Sequence, residues 1–335
     1  SYQAANQKVV WHRRARHIPK SMNEFKKQQL HVSSGTSYAE QLLKLQKDYP
    51  TVMWQQNPEW DTEYLLQKVH KRKLDCTIAD SNILSVNQRY LPELKVAFEL
   101  TDEAPLAWAM RKDSENLRLK LNNWFGAYQD QGQLNAVVNR YYGHIDEFDY
   151  FDTKKFRQRI KKRLPRYRKW FKQAARKYRL DWRLLAAQSY QESHWNRLAK
   201  SPTGVRGIMM LTLPTAKELG VKSRLNAKTS IYAGARYLVR LRKRLPKEIK
   251  EPDRTWMALA AYNFGFGHLT DAMQLARQLD KNPYLWVELE EVVPLLSQRK
   301  YYRKLKHGYA RGGEAVIYVR QIREYRDILS DIHNK

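Results

Sequence analysis

The sequence predicts an α+β multidomain chain, with a mixed α/β part over residues 1–150 and an all-α part over 151–335. Three observations predict it. The length of 335 residues is enough for two domains. Up to about residue 150, short β-branched and aromatic runs alternate with stretches of helical periodicity, as in βαβ units. From about residue 153 the strand signal vanishes, which sets a boundary near 146–153.

In the first part, KVVWHRR (8–14) and QLHVSSGTS (29–37) read as strands, the second ending in a Ser/Gly/Thr turn. SYAEQLLKLQKDYP (37–50) has helical periodicity and stops at its proline. TVMWQQ (51–56) reads as a short strand and TEYLLQKVHKRKL (62–74) as an amphipathic helix. DCTIADS (75–81) is a buried strand ending in an acid. LKVAFEL (94–100) and LAWAMRK (106–112) look like two more strands, with helices following at 114–126 and 130–141.

In the second part the chain is helical on both sides of Pro165. DWRLLAAQSYQE (181–192) has Asp181 as its N-cap and an apolar face at 182, 185, 186 and 189. TLPTAKELG (212–220) ends at a C-terminal glycine. Further helices cover 230–245, 254–265 and 313–332. There is no internal repeat and no low-complexity tract.

Composition narrows the function. Hydrophobic residues make up 42% and aromatic residues 12%, so a packed core is expected rather than disorder. No apolar run approaches the ~18 residues that span a bilayer, and the first residues lack a secretory signal pattern. The one cysteine, Cys76, reads as a small buried side chain. The nine histidines are scattered, so no metal is expected, and nothing calls for a cofactor. The net charge of +28 predicts a polyanionic partner: nucleic acid, an anionic membrane surface or an acidic polymer. Residues 154–179 carry 14 Lys or Arg among 26 and no acid.

Four short stretches in the helical part then stand out by order and spacing: YQESHWN (190–196), SPTGVRGIMMLT (201–212), ALAAYNFGFGHL (258–269) and GEAVIYVRQI (313–322). Together they resemble the catalytic module of the lytic transglycosylases, goose-lysozyme-like enzymes that cleave peptidoglycan. The family's Glu-Ser is matched by Glu192-Ser193 and its Gly-Leu-Met-Gln loop by Gly207-Ile208-Met209-Met210. Its Ala-Tyr-Asn is matched by Ala261-Tyr262-Asn263, and its Glu-Thr-x-x-Tyr-Val by Glu314-Ala315, Tyr318 and Val319. Met210 stands where most relatives have Gln, and Ala315 replaces Thr. The resemblance covers about residues 155–330 and implies a lysozyme-like fold there.

GIMMLT and TWMALAAYN are most similar to one branch, the membrane-bound lytic murein transglycosylase F family. That branch carries a periplasmic-binding-protein-like module ahead of the enzyme. VSSGTSYAE and DCTIADS look like the second lobe of such a module, and PLAWAMRK like the return crossing to the first. The resemblance therefore implies a partial solute-binding α/β domain over 1–150 with its first lobe incomplete, from a fragment or a shortened gene. An unpaired sheet edge is expected with it.

Glycoside cleavage needs an acid that stays protonated near neutral pH, and burial against apolar groups achieves this for a carboxyl. By resemblance that acid is Glu192. No clear second carboxylate stands in the quoted stretches, Glu314 reading as structural or orienting. The resemblance therefore implies that the N-acetyl group of the muramyl sugar stabilises the cation. Ionised Glu192 then takes the proton of the sugar's C6 hydroxyl, leaving a 1,6-anhydro end. Ser193 would orient the glutamate or the N-acetyl group, or be a plain helix-end hydroxyl. Tyr262 and Asn263 would hold sugar, with Asn263 alternatively a C-cap. Tyr318 would hydrogen-bond near Glu192, and Met209 and Met210 would form either cleft wall or core. In the first part, Thr36 and Ser37 behind Gly35 would offer free N–H groups to a carboxylate. Asp80 would take an ammonium group, as in modules that clasp amino acids or peptides.

The partners implied are peptidoglycan glycan strands, a muropeptide or amino acid at the first domain, and an anionic membrane met peripherally. Nucleic acid is not expected, because none of its common binding modules is present. The location implied is periplasmic, peripheral to the outer membrane. A hydrolytic muramidase on the same fold and a non-catalytic wall or peptide binder are the competing readings. All four motifs lie after residue 153, so a chain starting near Asp152 is expected to carry the activity alone.

Overall fold

The computed structural model describes residues 3–25, 28–88, 90–141, 150–201 and 204–334. The chain divides into two compact units, residues 1–134 with 145–153, and residues 135–144 with 154–335. The boundary expected at 146–153 falls partly on 142–149, outside the described residues.

The first unit is built on a five-stranded sheet. Its elements are β1 (Gln3–Ala5), β2 (Gln7–His12), β3 (Leu30–Ser33), α1 (Ser37–Leu45), β4 (Trp54–Asn57), α2 (Thr62–His70), β5 (Cys76–Asp80), α3 (Ser81–Gln88), β6 (Leu94–Glu99), β7 (Ala104–Leu106) and α4 (Glu115–Asp130). The sheet runs β4-β3-β5-β2-β6. β3 lies parallel to β4 and β5, while β2 lies antiparallel to β5 and β6.

Strand β5 is central, which is why residues 76–79 are buried without alternation. Each face has its own core. Val9, Trp11, Leu30, Val32, Cys76 and Ile78 pack with Tyr38, Ala39 and Leu42 of α1. Val10 and Ala79 pack on the other face with Leu65, Leu66 and Val69 of α2 and Leu84 of α3. The period of two along each strand decides which helix a residue meets.

One expectation is corrected. The strand read over 106–112 is confined to Ala104–Leu106, paired with β1. Past Leu106 no described strand offers hydrogen bonds, and Trp108 and Met110 are exposed. Helix α3, absent from the sequence reading, follows β5 directly.

In the second unit the described regular elements are helices, apart from isolated bridges at Lys200–Arg206 and Arg206–Leu211. After α5 (Gln133–Tyr141) and α6 (Tyr150–Lys162) come α7 (Pro165–Tyr178), α8 (Trp182–Ser193), α9 (Leu213–Glu218), α10 (Ala227–Arg244) and α11 (Asp253–Phe264). They are followed by α12 (Phe266–Gln278), α13 (Trp286–Val292), α14 (Arg299–Tyr302) and α15 (Gly312–Asn334). One continuous apolar core joins them. Asp181, Thr212 and Asn226 cap α8, α9 and α10 with side-chain oxygens.

Helix α8 is not the one-faced helix its spacing suggested. Leu184 to Tyr190 are all buried, so it runs through the middle of the unit, against α7 and α15. Helix α15 also packs on α11.

Candidate active site

Glu192 sits in the last turn of α8. Behind it His194 (φ 52°) and Trp195 (φ 56°) are both left-handed, so the chain turns back on itself. The Trp195 ring is buried and its Nε1 donates to the Ala186 carbonyl at 2.9 Å, anchoring the reversal on α8. Two such conformations in succession are costly for residues with a Cβ, and such strain gathers at functional sites.

The loop after this turn is pinned from three sides. Ser193 Oγ and Ser189 Oγ both donate to the Ile208 carbonyl, at 2.9 and 3.0 Å. Tyr262 Oη, on α11, donates to the Met209 carbonyl at 2.9 Å. Arg224 Nη1 donates to the carbonyls of Gly204 and Leu211, each at 2.9 Å. Gly207 has φ +89°, and a Cβ there would fall 2.0 Å from the Arg224 carbonyl oxygen. The motif glycine is therefore dictated by backbone approach as well as by φ. Met209 is fully buried and lies over Gly234 of α10, where a Cβ would come 2.7 Å from its Cε. It is core. Met210 is half-buried, with φ 44°.

From α15, Tyr318 Oη donates to Glu192 Oε1 at 2.5 Å. Tyr318 in turn accepts from Gln188 Nε2 at 3.4 Å. Loss of water around the carboxyl pushes the Glu192 pKa up to about 8, against the opposing pull of the Tyr318 hydrogen bond. The Tyr262 and Tyr318 hydroxyls are pushed well above the usual tyrosine range, by their own burial first and by the neighbouring glutamate second. Part of Glu192 stays open to solvent. Such a group holds a proton at neutral pH and can deliver it outward.

The structure thus brings Glu192, Tyr318, Tyr262, Ser193 and Met209 together. Ser193 spends its hydroxyl on the loop carbonyl rather than on the glutamate. Asn263 is exposed within α11, and the cap of that helix is Gly265 at φ +99°. Ala315 is fully buried. Glu314 is exposed and pairs with Arg311 at 3.4 Å, a surface role. Within the basic stretch, Arg163 Nη1 donates to the His194 carbonyl at 2.9 Å and Arg159 Nη1 to Tyr190 Oη at 3.0 Å. Two of those cations therefore hold the end of α8, where a positive charge also suits the helix dipole. Sequence reasoning missed Gln188, whose only signal was its place one helical turn before Glu192. It also missed Arg224 and Arg163, for which local sequence held no signal. Among the described residues no cluster of three His, Cys, Asp or Glu side chains could hold a metal ion.

In the first unit, Thr36 precedes α1 and its Oγ1 donates to the Ser33 carbonyl at 2.7 Å. Ser37 Oγ accepts from Gln7 Nε2 at 3.2 Å, and Gln7 is paired in register with Asp80. Tyr38 Oη accepts from the Asp80 backbone N–H at 3.2 Å. Burial raises the Asp80 pKa. Gln7 and Tyr38 thus join the expected residues at this strand end.

Residues 169–285, which hold the Glu192, Gly207 and Tyr262 stretches, match the Transglycosylase SLT domain family. A membrane-bound lytic murein transglycosylase F from Saccharophagus degradans is 47% identical over 313 residues, 93% of this chain and 62% of that relative. One from Methylobacillus flagellatus is 43% identical over 330 residues, 98% of this chain and 70% of the relative.

The chain belongs to the membrane-bound lytic murein transglycosylase F family.

It spans less than two thirds of the length of the S. degradans member. Against solved structures, this member of the family is similar to an ancestral arginine-binding protein bound to arginine (19% identity, 42% of this chain and 62% of that chain, TM-score 0.38). It is also similar to the substrate binding protein of an amino acid ABC transporter (16% identity, 42% and 61%, TM-score 0.37).

Proposed function

We propose that this member of the family is a peptidoglycan lytic transglycosylase. It cleaves the MurNAc-β-1,4-GlcNAc bond without water and leaves 1,6-anhydro-MurNAc ends. The observation that carries the reading is the setting of Glu192. One carboxyl with its pKa pushed up to about 8 has a tyrosine donor on one oxygen and, among the described residues, no second carboxylate that perturbs it. A hydrolase of the two-carboxylate kind needs a second acid to hold water or attack the sugar.

In the first step Glu192 gives its proton to the leaving glycosidic oxygen, while the N-acetyl group of the muramyl sugar supports the developing cation. In the second step ionised Glu192 takes the proton of the C6 hydroxyl as that oxygen closes on C1. The ring closure is favoured because nucleophile and electrophile belong to one sugar. Tyr318 steadies the carboxyl in both steps. Tyr262 and Ser193 hold the loop that forms one wall, with Met210 and exposed Asn263 offered to sugar. The high positive charge keeps the enzyme on a wall whose stem peptides carry carboxylates, and salt weakens that hold.

The appended first unit is proposed to sense an amino acid or muropeptide. Ser37 and the N–H groups behind Gly35 and Thr36 suit its carboxylate, and Asp80 its ammonium group. The relatives are named membrane-bound, which supports membrane association, and the place proposed is periplasmic, peripheral to the outer membrane. No described helix is long and apolar enough to cross a membrane.

Digestion of sacculi in heavy-oxygen water tests the reaction. Anhydro ends, lighter by one water and free of label, are expected. Label at the new muramyl end would replace this reading with the hydrolytic muramidase.

A further inference from the structure

Gln188 presents an oddity that the reaction above does not use. Its side chain is fully buried in the middle of α8, one helical turn before Glu192 and therefore on the same face. The amide Nε2 donates to Tyr318 Oη at 3.4 Å. The amide Oε1 is buried and has no hydrogen-bond partner among the described residues. A polar side chain whose carbonyl is shut away from water without a donor weakens the fold, and an aliphatic side chain of similar size would sit there more comfortably. Such a residue needs a reason beyond packing.

The reason lies in the direction of the hydrogen bonds. A tyrosine hydroxyl has one proton, and Tyr318 gives it to Glu192 Oε1. The Tyr318 oxygen can then only accept, and Gln188 fills that place. With its oxygen engaged, Tyr318 is a poor acceptor for a proton on Glu192. A protonated Glu192 therefore keeps Oε1 as the carbonyl oxygen facing Tyr318 and carries its proton on Oε2. Without Gln188, the hydroxyl could turn and accept from Glu192, which would aim the acid proton at Tyr318 instead of at the leaving oxygen.

We infer that Gln188 is a positioning residue that acts through Tyr318 to place the acid proton of Glu192 on Oε2. It does not touch substrate. The inference rests on Glu192 being the acid, and it adds which oxygen delivers the proton and what enforces the choice.

The test compares Gln188→Leu and Gln188→Met with the wild type, alone and in a Tyr318→Phe background, using soluble glycan oligomers. The expected result is a kcat lower by about tenfold, as for loss of one hydrogen bond that matters in the transition state. KM should change less than about twofold, since a residue away from substrate leaves uniform binding intact. Thermal stability should be equal or higher, because the buried amide carbonyl is gone. In the Tyr318→Phe background the substitution should cost nothing further. An unchanged kcat, a kcat loss that persists undiminished without the Tyr318 hydroxyl, or a fall in Tm with kcat and KM failing together would each overturn the inference.

A second readout separates this inference from the proposed activity. The carboxyl resonance of Glu192, followed by carbon NMR in labelled protein, titrates whether or not the protein cleaves glycan. Among the described residues, the ionisable groups against it are Tyr318 from α15 and Tyr262 from α11, with Tyr237 of α10 beyond Tyr262. Losing the Gln188 donation weakens the Tyr318 donor, so the Glu192 titration should move upward in Gln188→Met and stay put in Gln188→Met made on Tyr318→Phe. A Glu192 titration identical to wild type in Gln188→Met would refute the relay even if the protein proves inactive on peptidoglycan.

Discussion

Tyr318 and Glu192 are 126 residues apart in sequence and joined by one hydrogen bond, from the phenol hydroxyl to Oε1. The bond spans the packed pair α8 and α15, so any change in how these helices meet is felt at the carboxyl.

Glu192→Gln keeps the shape and the bond to Tyr318 but cannot give a proton. Lysis of purified sacculi should fall by roughly 10²- to 10⁴-fold, the range for losing a general acid, with the circular dichroism spectrum unchanged. A well-folded variant that still clears sacculi would remove Glu192 from the mechanism.

The rate should depend on pH through the same group. Glu192 works protonated, so activity should hold up to about pH 8 and decline above it. Tyr318→Phe removes the bond that favours the ionised form. The Glu192 pKa should then rise further and the alkaline limb move to higher pH, in a pH–rate profile measured on both proteins.

Linkage gives a stability counterpart. The folded-state pKa of Glu192 lies above its ordinary value of 4.5. Between the two, the folded chain holds a proton that the unfolded chain has lost, so this group's contribution is largest below pH 4.5 and is lost as pH rises through about 8. Glu192→Gln lacks this loss. Its melting temperature relative to wild type should be higher at pH 9 than at pH 5, and a difference independent of pH would contradict the raised pKa.

Gly207→Ala should damage both fold and site. The added Cβ meets the Arg224 carbonyl oxygen at 2.0 Å with φ at +89°, and the backbone must move. A loss of more than about 2 kcal/mol in denaturant unfolding is expected. Activity should drop with it, because the loop whose Met209 carbonyl receives Tyr262 moves too.

The second unit should need residues ahead of Asp152. Asn139 on α5 donates to Glu290 Oε1 at 2.6 Å and accepts from Arg323 Nη1 at 3.0 Å, and both charged partners are buried. Arg323 lies on α15, the helix that carries Tyr318. A chain starting at 152 removes one partner of each. A chain starting at about 133 should match the lytic activity of residues 1–335, whereas one starting at 152 should be less stable by about 2 kcal/mol or more. Equal melting temperatures for the two would show that Asn139 is dispensable.

Much of this protein was determined locally. The alternation of strand and helix before residue 150, the caps at Asp181 and the Gly ending α9, and the order of the four motifs are all short-range patterns. They are set by side-chain period, backbone sterics and capping, and these act over a few residues. Glu192 stood out for the same reason, by its place in the first of those motifs.

What only the tertiary structure decided concerns partners distant in sequence. The reading of 106–112 as a strand failed because a strand exists only where a neighbour takes its hydrogen bonds, and no described strand does beyond Leu106. The period of α8 suggested one apolar face, yet the helix is surrounded, because α7 and α15 close on it from sides no local pattern encodes. Ser193 turned inward to the Ile208 carbonyl and Gln188 toward Tyr318. Each outcome depends on which donor or acceptor the fold brings within about 3 Å. The raised pKa of Glu192 belongs to that same level, since burial is a property of the assembled helices and not of the glutamate's neighbours in the chain.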